Sequence, residues 1–201
     1  MIRGINIEEP ACRDLTRPAD LMGPAMKRLM CCLIMLLCAG VLSGAEKKPE
    51  LKTVENVDMA LSMGTWYEIA RLPHFFETGL VGVKAEYSLL PNGKIRIINS
   101  GYKNDLKGKL KTAQGRAWIA DPKTHAKLKA IFFWPFISNY WIVEVGPDYD
   151  YAVICESSRK YLWILSRKPV MDDTLYNELL KRIENKGFDI SKIKRTPQPE
   201  R

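Results

Sequence analysis

From Val83 to Leu89 apolar and polar side chains alternate without a fault, and the alternation returns from Ile95 to Asn99 after the turn signal Pro91-Asn92-Gly93. A period of two belongs to a strand with one dry face. The pair therefore reads as a hairpin with Ala85, Tyr87 and Leu89 on the dry side, Ile97 and Asn99 beside them, and Lys84, Glu86 and Ser88 in water. Residues 115–120 and 126–133 repeat the pattern, the second placing Ala126, Leu128, Ala130 and Phe132 opposite Lys127 and Lys129. Further strand-forming runs occupy 64–71, 140–145, 151–156 and 161–167, and connections this short make neighbours antiparallel. From Asp172 the period becomes helical: Asp172 is a capping residue, Leu175, Leu179 and Ile183 recur at four-residue spacing, and Gly187 stops the run. Residues 190–193 read as one more edge strand, and 196–201, with two prolines and charge, as a loose tail.

The dry faces mix small and aromatic residues. A solid core would put large chains at most inward positions, so this mixture fits an enclosed cavity. At the start of the first run, Gly64 lets the chain turn sharply ahead of Trp66 and Tyr67. Far along the chain, Arg167 follows the run Tyr161-Leu162-Trp163-Ile164-Leu165-Ser166, and a guanidinium over an indole between first and last strands would close a barrel.

Gly64, Trp66 and Tyr67, then Tyr149-Asp150-Tyr151-Ala152, then Arg167 resemble, in order, the three signatures of the lipocalin family. The longer runs GTWYEIARLP, AEYSLLPNGKI and YLWILSRKP resemble the subfamily of bacterial outer-membrane lipocalins and apolipoprotein D, over roughly residues 56–193. The resemblance implies an all-β fold, an eight-stranded up-and-down antiparallel barrel with a C-terminal α-helix packed outside. It also implies a cargo of fatty acid or lysophospholipid, and pocket aromatics at Tyr87, Phe132, Tyr140 and Trp163. The strand patterns by themselves say only that the interior is apolar, with Ala85, Ile97, Asn99, Leu128 and Ala130 as further candidate ligand contacts and Gly64, Trp66 and Arg167 as the closure.

Composition narrows the rest. The chain has 201 residues, 46% hydrophobic and 27% charged, enough for one ordinary domain with extensions. Net charge is +8, and a basic surface suits anionic partners, but the lysines stand singly along strands and form no nucleic-acid module. Met26-Lys27-Arg28 followed by the apolar run 29–42 reads as a signal peptide over 26–45, too short to span a bilayer. Residues 1–25 are a leading stretch ahead of that start, and 46–55 a flexible arm before a barrel domain at 56–195. Small residues 43–45 favour cleavage ahead of Glu46 and a periplasmic or outer-membrane-associated product, with lipid attachment at Cys38 as the alternative. Cleavage leaves Cys155 as the one cysteine, so no internal disulfide forms.

No nucleophile elbow, phosphate loop, dinucleotide fingerprint or metal-ligand cluster occurs, so neither a cofactor nor a metal is expected. His74 is read as structural, with no carboxylate or second histidine beside it. The expected function is non-catalytic carriage of a small hydrophobic ligand. The alternatives are a solidly packed envelope interaction protein, or an enzyme using Cys155 as a nucleophile in the cavity. Two apolar loops, Phe75-Phe76 and Trp134-Pro135-Phe136-Ile137, leave the same end of an up-and-down barrel, where Phe75, Phe76, Trp134 and Phe136 form a candidate rim against anionic membrane.

Overall fold

The computed structural model describes residues 50–199. The leading stretch, the signal peptide with Cys38, and residues 200–201 lie outside the described residues. Eight strands follow in chain order: β1 Gly64–Arg71, β2 Leu80–Leu89, β3 Ile95–Lys103, β4 Leu110–Ile119, β5 Lys127–Phe133, β6 Phe136–Val145, β7 Tyr151–Cys155 and β8 Leu162–Ser166. Each pairs antiparallel with the next, and β1 pairs with both β8 and β2, so the sheet closes into an up-and-down barrel. Helix α1, Asp173–Asn185, and a two-residue strand β9, Lys194–Arg195, complete the order.

The barrel wall separates two apolar layers. Inside, Trp66, Ile97, Leu128, Ile142, Ile154 and Leu165 pack together. Outside, Ile69, Val153, Leu162 and Ile164 are covered by Tyr176, Leu179 and Ile183 from α1. That helix starts where Asp172 accepts hydrogen bonds from the amides of Thr174 and Leu175, at 2.9 and 3.1 Å. Every residue of β7 is buried, because one face meets the interior and the other meets the helix.

Several expectations change. β4 begins at Leu110, well before the alternation appears, because its first residues are exposed on both faces and are held only by backbone pairing with β3. β6 takes in Phe136 and Ile137, which pair with Phe133 and Ile131, so the interrupting loop shrinks to Trp134-Pro135 with a cis peptide bond between them. Residues 190–192 form a 3-10 turn. The described part of the arm is anchored: Leu51 is buried in the outer layer and Val54 N–H donates to the Ile142 carbonyl.

The loose tail is the largest correction. β1 and β2 pair only from Gly64 to Tyr67 and then part. The C-terminal segment fills the gap: Ala70 pairs with Arg195, Thr196 N–H donates to Ile69, and Gly82 N–H donates to Pro197. The Gln198 amide donates to the carbonyls of Glu68 and Val83, both at 2.8 Å, one on each side of the seam. Unpaired strand edges inside a wall are costly, and these residues satisfy them.

Candidate functional site

One end of the barrel is shut. The Arg167 guanidinium lies 3.8 Å from the Trp66 ring centroid, a favourable cation–π distance. It also donates to the carbonyls of Thr65 at 2.9 Å, Tyr149 at 3.2 Å and Leu61. Gly64, at φ +92°, runs beside this guanidinium, where a Cβ would approach Nη1 to 3.4 Å. Across the same end, the Trp66 indole donates to Ser62 and the Tyr149 hydroxyl accepts from Asp58 N–H, which hold the segment before β1 in place. Val57, Met59 and Met63 of that segment face inward, while Leu61 is exposed.

Above this floor is an apolar cavity of about 40 Å³. Its walls include Trp66, Tyr87, Ile97, Leu128, Tyr140 and Ile154. The remaining candidates Ala85, Asn99, Ala130, Phe132 and Trp163 are not part of those walls but stand on the same inward face. Phe132 lies against Gly115, where any Cβ would sit 2.7 Å from its ring. Asn99 pairs between Ala85 and Ala113, and its buried Oδ1 has no hydrogen-bond partner among the described residues.

Tyr87 from β2 and Tyr140 from β6 meet hydroxyl to hydroxyl at 2.6 Å, forming a bar across the barrel. Burial pushes the Tyr87 phenol up to about 12 and raises Tyr140 as well, so both remain neutral. Towards the mouth lies a group that sequence reasoning missed. Glu68 is 2% exposed, Glu77 is buried on the 3-10 turn Phe75–Glu77, and Arg71 serves both. Arg71 donates to the Glu68 carboxylate, to Thr196 Oγ1, and to the carbonyls of Glu77 and Leu80 at 3.0 Å. The Thr196 hydroxyl also donates to Glu68. Burial, then Glu77, drives the Glu68 carboxyl up to about 8 against the pull of Arg71. Burial acts to raise Glu77 too, but His74 and Arg71 outweigh it and hold that carboxyl below its usual value.

His74 corrects a second expectation, that no carboxylate lies beside it: its Nε2 is 3.2 Å from Glu77 Oε2, and its ring stacks on Phe76 at 3.8 Å. Trp163 N–H reaches the same carboxylate at 3.3 Å. The loop after β1 is thus fastened to the barrel by Glu77. Phe75, Trp134 and Phe136 stay exposed at this end, and Phe76 is half-exposed.

Cys155 does not serve the cavity. It packs in the outer layer beneath α1, and burial pushes its thiol up to about 12, far from the thiolate a nucleophile needs. Its parity along β7 is that of Tyr151 and Val153, which also face the helix.

The sequence model of the Lipocalin-like domain matches residues 57–198. The chain belongs to the lipocalin family. It is 42% identical to the outer membrane lipoprotein Blc of Escherichia coli (strain K12) over 146 residues, covering 73% of this chain and 82% of that protein. Temperature-induced lipocalin-1 of Arabidopsis thaliana is 38% identical over 161 residues, covering 76% and 85%. Apolipoprotein D of Mus musculus is 32% identical over 162 residues, covering 76% and 82%. Insecticyanin from Manduca sexta superposes with a TM-score of 0.60 at 24% identity, covering 76% of this chain and 86% of that one, a likeness of fold. Lipocalins generally bind small hydrophobic ligands in their barrels.

Proposed function

We propose that this lipocalin is a non-catalytic carrier of a single-chain lipid, a fatty acid or a lysophospholipid, exported to the cell envelope and working in the periplasm or at the outer membrane. The observation that carries the reading is the cavity between Trp66 and the Tyr87–Tyr140 bar, enclosed by the barrel and walled almost wholly by apolar side chains. Each methylene buried there contributes about 0.8 kcal/mol, so a partly enclosed acyl chain reaches micromolar affinity after the cost of association. Ala85, Asn99, Ala130, Phe132 and Trp163 extend the inward face towards the mouth, where a polar head would emerge. Envelope placement is supported by the relative named as an outer membrane lipoprotein and by the short apolar run behind a basic start. The carrier meets its cargo at an anionic lipid surface.

Titration with a fatty acid and a lysophospholipid, followed by tryptophan emission, tests this. Ala117 lines the cavity, so Ala117→Leu shortens the space for the chain and weakens binding about tenfold. Unaltered affinity in a folded Ala117→Leu protein would move the cargo out of the barrel.

A further inference from the structure

The loops after β1, β3, β5 and β7 leave the barrel at one end, because those four strands run the same way. Contacts tie the loop after β1 to those after β3 and β7, and the loop after β5 opens at the same end. Lys103 Nζ donates to Thr78 at 2.7 Å, Asn104 N–H donates to Gly79, and the Phe76 ring stands 5.5 Å from Tyr161. At this end, apolar groups point outward where polar ones are the default. Phe75 and Trp134 are each 83% exposed, Phe136 is 74% and Phe133 is 69% exposed, and Ile137 and Leu110 are exposed as well. Phe133 was not among the expected rim residues, although alternation puts it on the outward face of β5 with Lys127 and Lys129.

Beside these aromatics the turn between β3 and β4 carries Lys103, Lys107, Lys109 and Lys111 against a single acid, Asp105, all exposed. An apolar wedge flanked by cations fits an anionic bilayer: aromatics enter the boundary between headgroups and acyl chains, and lysines stay among the phosphates. A second copy of the chain fits less well, because a symmetric contact through this end would set the same lysines against each other.

We propose that this end of the barrel is a two-part bilayer-docking face, in which Phe75, Phe133, Trp134, Phe136 and Ile137 insert and Lys103, Lys107, Lys109 and Lys111 hold anionic headgroups. The proposal rests on the carrier reading for its purpose, the mouth being presented to the membrane so that a lipid passes between them without crossing water. It rests on these loops alone for its geometry.

The test uses vesicles of brominated phosphatidylcholine with phosphatidylglycerol, and of brominated phosphatidylcholine alone, added to the full chain. Bromine quenches an indole only on contact with the acyl region. Parent emission is expected to be quenched in the anionic vesicles and far less in the neutral ones, and Trp134→Phe should lose most of that quenching. Replacing Lys107, Lys109 and Lys111 by Gln should weaken vesicle affinity about fivefold for each lysine removed. Quenching that persists in Trp134→Phe, or a triple variant that binds as well as the parent, overturns the proposal. A concentration-dependent dimer that Phe136→Ser abolishes, without quenching in the parent, overturns it in favour of a self-contact. Binding of a fluorescent fatty acid in vesicle-free buffer separates the two readings: the rim variants should retain it. If the parent lacks it while Trp134 is quenched, the carrier reading falls and the docking face stands.

Discussion

Glu68 sits on the inner side of β1, two positions beyond Trp66, where alternation puts a carboxyl into an apolar interior. That parity was readable in the sequence; the partners that make it tolerable were not, since Arg71 reaches back from the end of β1 and Thr196 arrives from the far end of the chain. Its folded value of about 8 stands above the ordinary 4.5 of a free glutamate. Between these values the folded protein keeps a proton that the unfolded chain releases. The contribution to stability is therefore complete below about pH 4.5 and is lost as pH rises through 8. Glu77, shifted the other way, loses its contribution only on further acidification, outside this window. Urea midpoints should accordingly fall between pH 5 and pH 8, and Glu68→Gln should flatten the slope; a parent with no slope there would remove the buried-acid account. At the opposite end of the barrel, Arg167→Ala removes a stacked cation and three carbonyl contacts. We expect a loss of about 1–3 kcal/mol, read from a denaturation curve, and a curve that overlays the parent would deny Arg167 its closing role.

Among the elements, strands whose two faces meet different surroundings were legible and those whose faces are alike were not. β2, β3 and β5 alternate because one side meets the cavity and the other water. β7 is apolar throughout, so its sequence does not say which side Cys155 takes; only the position of α1 does. The segment from Lys194 to Gln198 has neither periodicity nor hydrophobicity, yet it completes the wall where β1 and β2 part, through backbone groups and one amide side chain. Gln198→Ala should cost about 1–2 kcal/mol and speed amide exchange at Glu68–Arg71 and Leu80–Val83 while leaving β4 and β5 protected. Uniform exchange rates would show that the segment only rests on the wall. The helix is a stronger support: Leu179 is fully buried against the outer layer, and Leu179→Ala should cost about 2–5 kcal/mol in thermal or urea unfolding. A smaller loss would mean that the barrel holds its shape without α1.

At the scale of the whole molecule, the barrel has a floor sealed by Trp66 and Arg167, an apolar interior crossed by Tyr87 and Tyr140, and a mouth with buried carboxylates and exposed aromatics. Signature residues and alternation made the closed barrel and its inward face readable, because both follow from local pattern. The polar mouth was hidden because it is assembled from β1, β8, one loop and the C-terminal segment, none of which announces the others. The central claim is that the interior holds a single-chain lipid. It is tested most directly by purifying the protein without added lipid, extracting it into organic solvent and identifying the extract by mass spectrometry. The account predicts monoacyl lipid in near-equal molar amount to the parent and markedly less from Ala117→Leu. An extract without lipid, or the same amount from both proteins, would contradict it.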